Sequence, residues 1–137
     1  MKSSQRPKIS KRSVFAFIMA ADTGRVLLQQ RMPEPHKGRG VSWGLFGGGI
    51  EIDERIIRGL MREINEETGL VIRKQAHVVQ IGLFIHAKKH KEVVVFALKV
   101  GREFRPIICN ESAGYGWVRP NKTIKKPHQY LGPSLGI

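Results

Sequence analysis

The stretch Gly48–Leu70, GGIEIDERIIRGLMREINEETGL, decides how this chain is read. The protein has 137 residues, with 24 Lys and Arg against 11 Asp and Glu and a formal net charge of +13. Yet Glu51, Asp53, Glu54, Glu63, Glu66 and Glu67 all fall inside this one stretch. Ile56, Ile57, Leu60, Met61 and Ile64 recur at three- and four-residue spacing, which predicts a helix from about Asp53 to Thr68 with an apolar stripe. Asp53 is the expected N-cap and Gly69 the left-handed residue that stops the helix. On that helix Glu63, Glu66 and Glu67 share an arc of about 100°. Like charges at this spacing repel, and acids near a helix C-terminus oppose its dipole. A divalent cation reverses that cost, because three carboxylates at one point suit Mg²⁺ or Mn²⁺; without one they form a solvated acidic face. Gly59, one turn earlier on the same side, costs about 1 kcal/mol relative to Ala and leaves room either for packing or for the close approach of something to the helix.

The frame around the acids is more specific than the acids themselves. Gly48, Glu54, Arg62, Glu63, Ile64, Glu66, Glu67, Gly69 and Leu70 fit G-x5-E-x7-R-E-U-x-E-E-x-G-U, with U an aliphatic residue. With residue frequencies near 7%, such a match arises by chance roughly once in 10⁹ placements. In this stretch the chain resembles the Nudix hydrolases. The resemblance implies an α/β (α+β) fold, an α/β/α sandwich with a mixed β-sheet. It also implies a loop–helix–loop that holds divalent metal against a pyrophosphate, and hydrolysis of a phosphoanhydride by water attack at phosphorus.

Carried over position by position, the resemblance gives Glu63, Glu66 and Glu67 as carboxylate ligands of Mg²⁺ or Mn²⁺, and Gly47 as a backbone-carbonyl ligand. Glu66 thereby belongs to the catalytic set. Gly48 belongs to the substrate loop, where a sharp turn of the chain suits glycine. Arg62 can reach Glu66 at i, i+4 and orient it, and Glu54 is a supporting carboxylate or alternative base. Glu111, six residues before Trp117, resembles the loop base of MutT-like members, with Glu54 and Glu51 as rivals. Arg31, closing LLQQR, resembles a family arginine that reaches substrate phosphates. Phe46 stands where many members have Pro, Gly49 makes a third consecutive glycine, and Asp53 replaces a common Gly; none removes a ligand. Trp43 and Tyr115 could stack on a base, although aromatics at strand ends are more often core.

The remaining chain reads as one domain, 13–137, behind a basic N-terminal tail, 1–12. Strands are expected at Ser13–Ala20, Arg25–Arg31, Val78–Ala87, Glu92–Val100 and Tyr115–Val118. Met32–Ser42 reads as a loop, and WGLF (Trp43–Phe46) as a short strand running into the triple glycine. The tail ahead of VFAFIMAA superficially resembles a signal or transit peptide, but reads better as a mobile segment entering a first strand. No run reaches the roughly 18 apolar residues of a membrane span. Cys109 is the single cysteine, a small hydrophobe by expectation, which excludes an intramolecular disulfide and favours a reducing, cytoplasmic setting; targeting to an organelle is the alternative. The charge attracts polyanions without choosing among them.

Three functions remain open at this stage. The leading one is a metal-dependent pyrophosphohydrolase of small nucleotides, in which a nucleoside diphosphate is linked to another moiety. The second uses the same chemistry at the 5′ end of RNA, gripped by the basic tails and the Lys88–Lys91 turn. The third is a basic nucleic-acid-binding module with a vestigial site, against which the complete glutamate set argues. A steep salt dependence of substrate affinity marks a long nucleic acid, a shallow one a mononucleotide. Monomer and homodimer are both compatible with the sequence.

Overall fold

The computed structural model describes residues 8–38, 40–73, 77–107 and 112–120. Among the described residues, seven strands form one mixed sheet and a single α-helix packs on it. β1 (Lys11–Ala20) and β6 (Lys91–Val100) lie parallel at its centre, in register from Lys11 opposite Lys91 to Ala20 opposite Val100. Both strands read as unbroken apolar runs because both of their faces are buried. Val14, Ala16, Ile18, Val94, Phe96 and Leu98 enter the main core, while Phe15, Val93 and Val95 enter a smaller cluster on the other face. β5 (Val78–His86) pairs antiparallel outside β6.

The opposite half of the sheet creates the opening for a site. β2 (Val26–Arg31) stays paired with β1 only at Ile18–Leu27 and Met19–Val26. Beyond that point the two strands part, and Ser42–Ile50 fills the gap. Its first part, β3 (Ser42–Gly44), pairs with β2, and its second, β4 (Phe46–Ile50), pairs with β1. β7 (Ser112–Val118) lies along the outer edge of β2. At Leu45, where the inserted chain changes partner, Gln29 Nε2 donates to the Leu45 carbonyl at 2.9 Å, and both residues are buried. A buried carbonyl freed from a ladder needs such a donor. The β1–β2 turn is clasped separately, Arg25 donating to both Glu103 oxygens at 2.6 and 2.8 Å.

The helix α1 spans Ile56–Thr68, and Leu60 and Ile64 are fully buried under it. Gly69 closes it at φ 80°, its N–H donating to the Asn65 carbonyl at 2.8 Å. The expected start was wrong. Arg55, not Asp53, is the N-cap, without a side-chain cap bond. The chain instead closes a turn at Glu51–Glu54, where Glu54 N–H donates to the Glu51 carbonyl and the Glu51 N–H to Glu54 Oε1. The triple glycine is likewise strand, not loop, with Gly47, Gly48 and Gly49 opposite Phe15, Val14 and Ser13. β1 begins two residues ahead of Ser13, taking in Lys11 and Arg12. The mixed α+β class is as expected. Cys109 falls outside the described residues. No helix among the described residues is long and apolar enough to cross a membrane.

Replacing Gln29 with Leu keeps the volume but orphans the Leu45 carbonyl. Gln29→Leu should therefore lower unfolding free energy by about 1–3 kcal/mol in urea titrations. An unchanged midpoint would show that the strand insertion does not depend on this bond.

Candidate active site

The acidic helix is fitted to the glycine strand. A Cβ on Gly59 would lie 2.5 Å from Ile50 Cγ2, so this glycine serves close packing. One turn on, a Cβ on Gly48 would lie 2.7 Å from Glu63 Oε2, so the carboxylate occupies the space that a side chain there would need. One further turn on, Glu67 Oε1 accepts the Gly47 N–H at 2.6 Å. Gly47 itself, at φ 150°, has no room for a Cβ against the Val14 carbonyl of β1. The contact of Gly47 with the helix is thus made by its N–H.

Arg62 joins the other acids. Its Nε and Nη2 donate to the two Glu54 oxygens at 3.0 Å each, a paired geometry that fixes both groups. Nη1 donates to Glu63 Oε1 at 3.2 Å and to both Glu66 oxygens at 3.3 Å. The i, i+4 contact with Glu66 is there, but the tighter partner is Glu54, from the turn before the helix. Helix spacing gives no hint of that contact. Asp53 and Glu51 make no side-chain ion pair among the described residues.

The electrostatics follow the geometry. The Arg62 hydrogen bond holds the Glu54 carboxyl below its ordinary range, with smaller help from the Glu51 N–H. Glu54 in turn holds the Arg62 guanidinium firmly protonated. Glu63 goes the other way. Burial raises its pKa, Arg62 offsets part of the rise, and the charges of Glu66 and Glu54 add to it. One guanidinium therefore faces three carboxylates, and the most buried of them carries the uncompensated cost.

Those donors suit a hard divalent cation. All are carboxylate oxygens, one set of three shares a single positive partner, and Glu63 is already desolvated. Among the described residues, no group of three or more Asp, Glu, His or Cys side chains is yet arranged to hold a metal ion. Arg62 and the Gly47 N–H hold the carboxylates instead. Glu63, Glu66 and Glu67, the ligands expected from the sequence, could turn their oxygens to a cation only by giving up these contacts.

The other expected residues separate. Arg31 ends β2, on the face it shares with Leu27 and Gln29, toward the helix side of the sheet. Its Nε is buried without a hydrogen-bond partner among the described residues. Glu111 lies outside the described residues. Trp117 is structural, its Nε1 donating to the Phe104 carbonyl at 3.1 Å and its ring edge-on to Phe104. Tyr115 packs against the core, whereas Trp43 is 40% exposed and lies over Gly116. A cavity of about 630 Å³ beyond the helix C-terminus, lined by Ile72, Arg73, His77 and Lys99, contains none of the carboxylates.

The NUDIX domain family model matches residues 10–133. Among solved structures, the MutT/nudix family protein from Enterococcus faecalis is 26% identical with a TM-score of 0.63, over 85% of this chain and 45% of its own. This chain thus spans less than half the length of that protein. The MutT protein from Methanosarcina mazei Go1 is 28% identical with a TM-score of 0.55, over 84% of this chain and 80% of its own. The E. coli dihydroneopterin triphosphate pyrophosphohydrolase is 24% identical with a TM-score of 0.56, over 81% and 83%, a likeness of fold. No curated protein matches the chain.

Removing Arg62 has a sign that pH reveals. Glu54, whose carboxyl is lowered from 4.5, contributes stability present above that value and lost as pH falls through the depressed one. Arg62→Ala should therefore lower the melting temperature of the metal-free protein more at about pH 7.5 than at about pH 4. Equal losses at both pH values would make the contact one of packing, not charge.

Proposed function

Since the chain belongs to the NUDIX family, we propose that it is a metal-dependent pyrophosphohydrolase. It cleaves a phosphoanhydride bond in a nucleoside diphosphate linked to another group. The observation that carries this reading is the close fit of Glu63 against Gly48, with Arg62 gathering Glu54 and Glu66 beside it.

Bound Mg²⁺ or Mn²⁺ would neutralise phosphate charge and lower the pKa of the attacking water. The protein's own residues do the rest. Glu63, Glu66 and Glu67 supply the oxygens, and β4 fixes where Glu63 and Glu67 stand. Arg62 holds Glu66 in place while Glu54 holds Arg62, so Glu54 acts as a positioning residue. A carboxylate bound this way to a guanidinium is a weak proton acceptor. That supports Glu111 rather than Glu54 as the group that takes the proton from water. The guanidinium of Arg31, with its unpartnered Nε, is suited to substrate phosphates. Gly48 leaves the space that the Glu63 carboxylate takes beside the strand. The E. coli neighbour is named for a triphosphate substrate, which supports a nucleoside triphosphate or a close relative as the first compound to try.

A hydrolysis panel of dNTPs, oxidised dNTPs, ADP-ribose, nucleotide sugars and dinucleoside polyphosphates tests the reading. Turnover should require added Mg²⁺ or Mn²⁺, disappear with EDTA and return on re-addition. Glu66→Gln should lower kcat by about a hundredfold while the metal-free protein melts no lower than wild type. Full turnover after exhaustive chelation would refute the metal assignment.

A further inference from the structure

Away from the carboxylates, the end of the sheet where β1 begins and the β5–β6 turn closes collects Lys8, Lys11, Lys88, Lys89 and Lys91. None of the five makes an ion pair among the described residues. Glu92, the acid next to them on β6, is taken by Arg12 at 2.7 Å. The turn itself is built rather than loose. His90 sits at φ 53°, in the left-handed region that side chains rarely adopt. Its carbonyl accepts the Ser10 and Lys11 N–H groups at 2.8 and 3.0 Å, and its Nδ1 donates to the Lys8 carbonyl at 2.9 Å. The Lys89 N–H donates to His86 Nδ1 at 3.3 Å. In register, Lys11 stands directly beside Lys91.

Side-by-side cations tied to a fixed frame, with no protein anion among them, are a standing cost that a polyanion relieves. Burial, and then the charges of Lys89 and Lys11, lower the Lys91 pKa, as expected where like charges crowd. We propose that this end of the sheet binds the phosphodiester backbone of a single-stranded nucleic acid. Lys11 is three residues along β1 from Val14, the partner of Gly48, so the patch begins about 10 Å from the glycine that faces Glu63. By strand alternation Lys11 and Lys91 share the face of Phe15, Val93 and Val95, away from the helix, so this surface is separate from the carboxylates and does not rest on the hydrolytic reading.

The test is fluorescence anisotropy with a 5′-hydroxyl RNA of about twenty nucleotides, and DNA of the same sequence, across about 50–300 mM salt. Lys11→Ala/Lys88→Ala/Lys89→Ala should weaken binding by about tenfold or more and flatten the log–log salt slope by about 2. Lys88→Ala/Lys89→Ala, confined to the exposed turn, should give a smaller loss in the same direction. The control Arg73→Ala/Lys99→Ala removes two exposed cations at the far end of the sheet and should change affinity by less than about twofold. Mononucleotide hydrolysis by the turn variants should stay at the wild-type rate, which separates this proposal from the hydrolytic one. Preference for RNA or DNA would name the natural strand. Wild-type affinity and slope in the triple variant, an equal loss in the control, or displacement of RNA by phosphatidylserine vesicles at equal phosphate would each overturn the proposal.

Discussion

The close approach of α1 to β4 is the constraint on which the rest depends. Four residues of helix advance about 6 Å and two residues of strand about 6.7 Å, so a helix lying along a strand can meet it at matched intervals. Gly59 meets Ile50 and Glu63 meets Gly48 on that repeat, and Glu67 reaches the neighbouring Gly47 N–H. A side chain on Gly59 would force the elements apart, and one on Gly48 would displace the Glu63 carboxylate. The strand in turn is held where it is by β1 on one side and by the Gln29 bond at Leu45, where the inserted chain changes partner. Fold and site therefore share one set of contacts.

Charge works against that fit and explains Arg62. Three carboxylates brought to one edge of a helix repel one another, and the most buried, Glu63, loses hydration as well. Arg62 answers with contacts to Glu54, Glu63 and Glu66 from one planar group, which a lysine could not reproduce. The balance stays negative. Elsewhere the chain is strongly basic, so the one acidic spot lies in a field that attracts anions, and under the proposed function a cation would bridge the two.

Much of this was legible in sequence because it is local. The apolar stripe on α1, the left-handed Gly69 and the 62–66 contact all depend on separations of five residues or fewer, where helix geometry is fixed in advance. What escaped the sequence depends on distant chain. The glycines look like a loop by composition, yet backbone pairing with β1 makes them strand. Asp53 looks like a cap, but Glu54 recruits the turn and moves the helix start to Arg55. The Glu54–Arg62 pair spans a helix boundary, and the Gln29–Leu45 bond joins residues in different strands, so neither has a spacing to read. Arg31 was picked out by resemblance, and its buried, unpartnered Nε became visible only in the fold.

Binding of Mn²⁺ measured by electron paramagnetic resonance, in wild type and in Gly48→Ala, tests most directly whether the bare strand sets the carboxylates. A methyl at position 48 lands 2.7 Å from Glu63 Oε2 and must displace that carboxylate, while β4 keeps its pairing with β1. Wild type is predicted to bind Mn²⁺, and Gly48→Ala to bind it at least about tenfold more weakly with its strand content by circular dichroism intact. Equal Mn²⁺ affinity in a folded Gly48→Ala protein would contradict the account, because the carboxylates would then form their site without the space that the glycine provides.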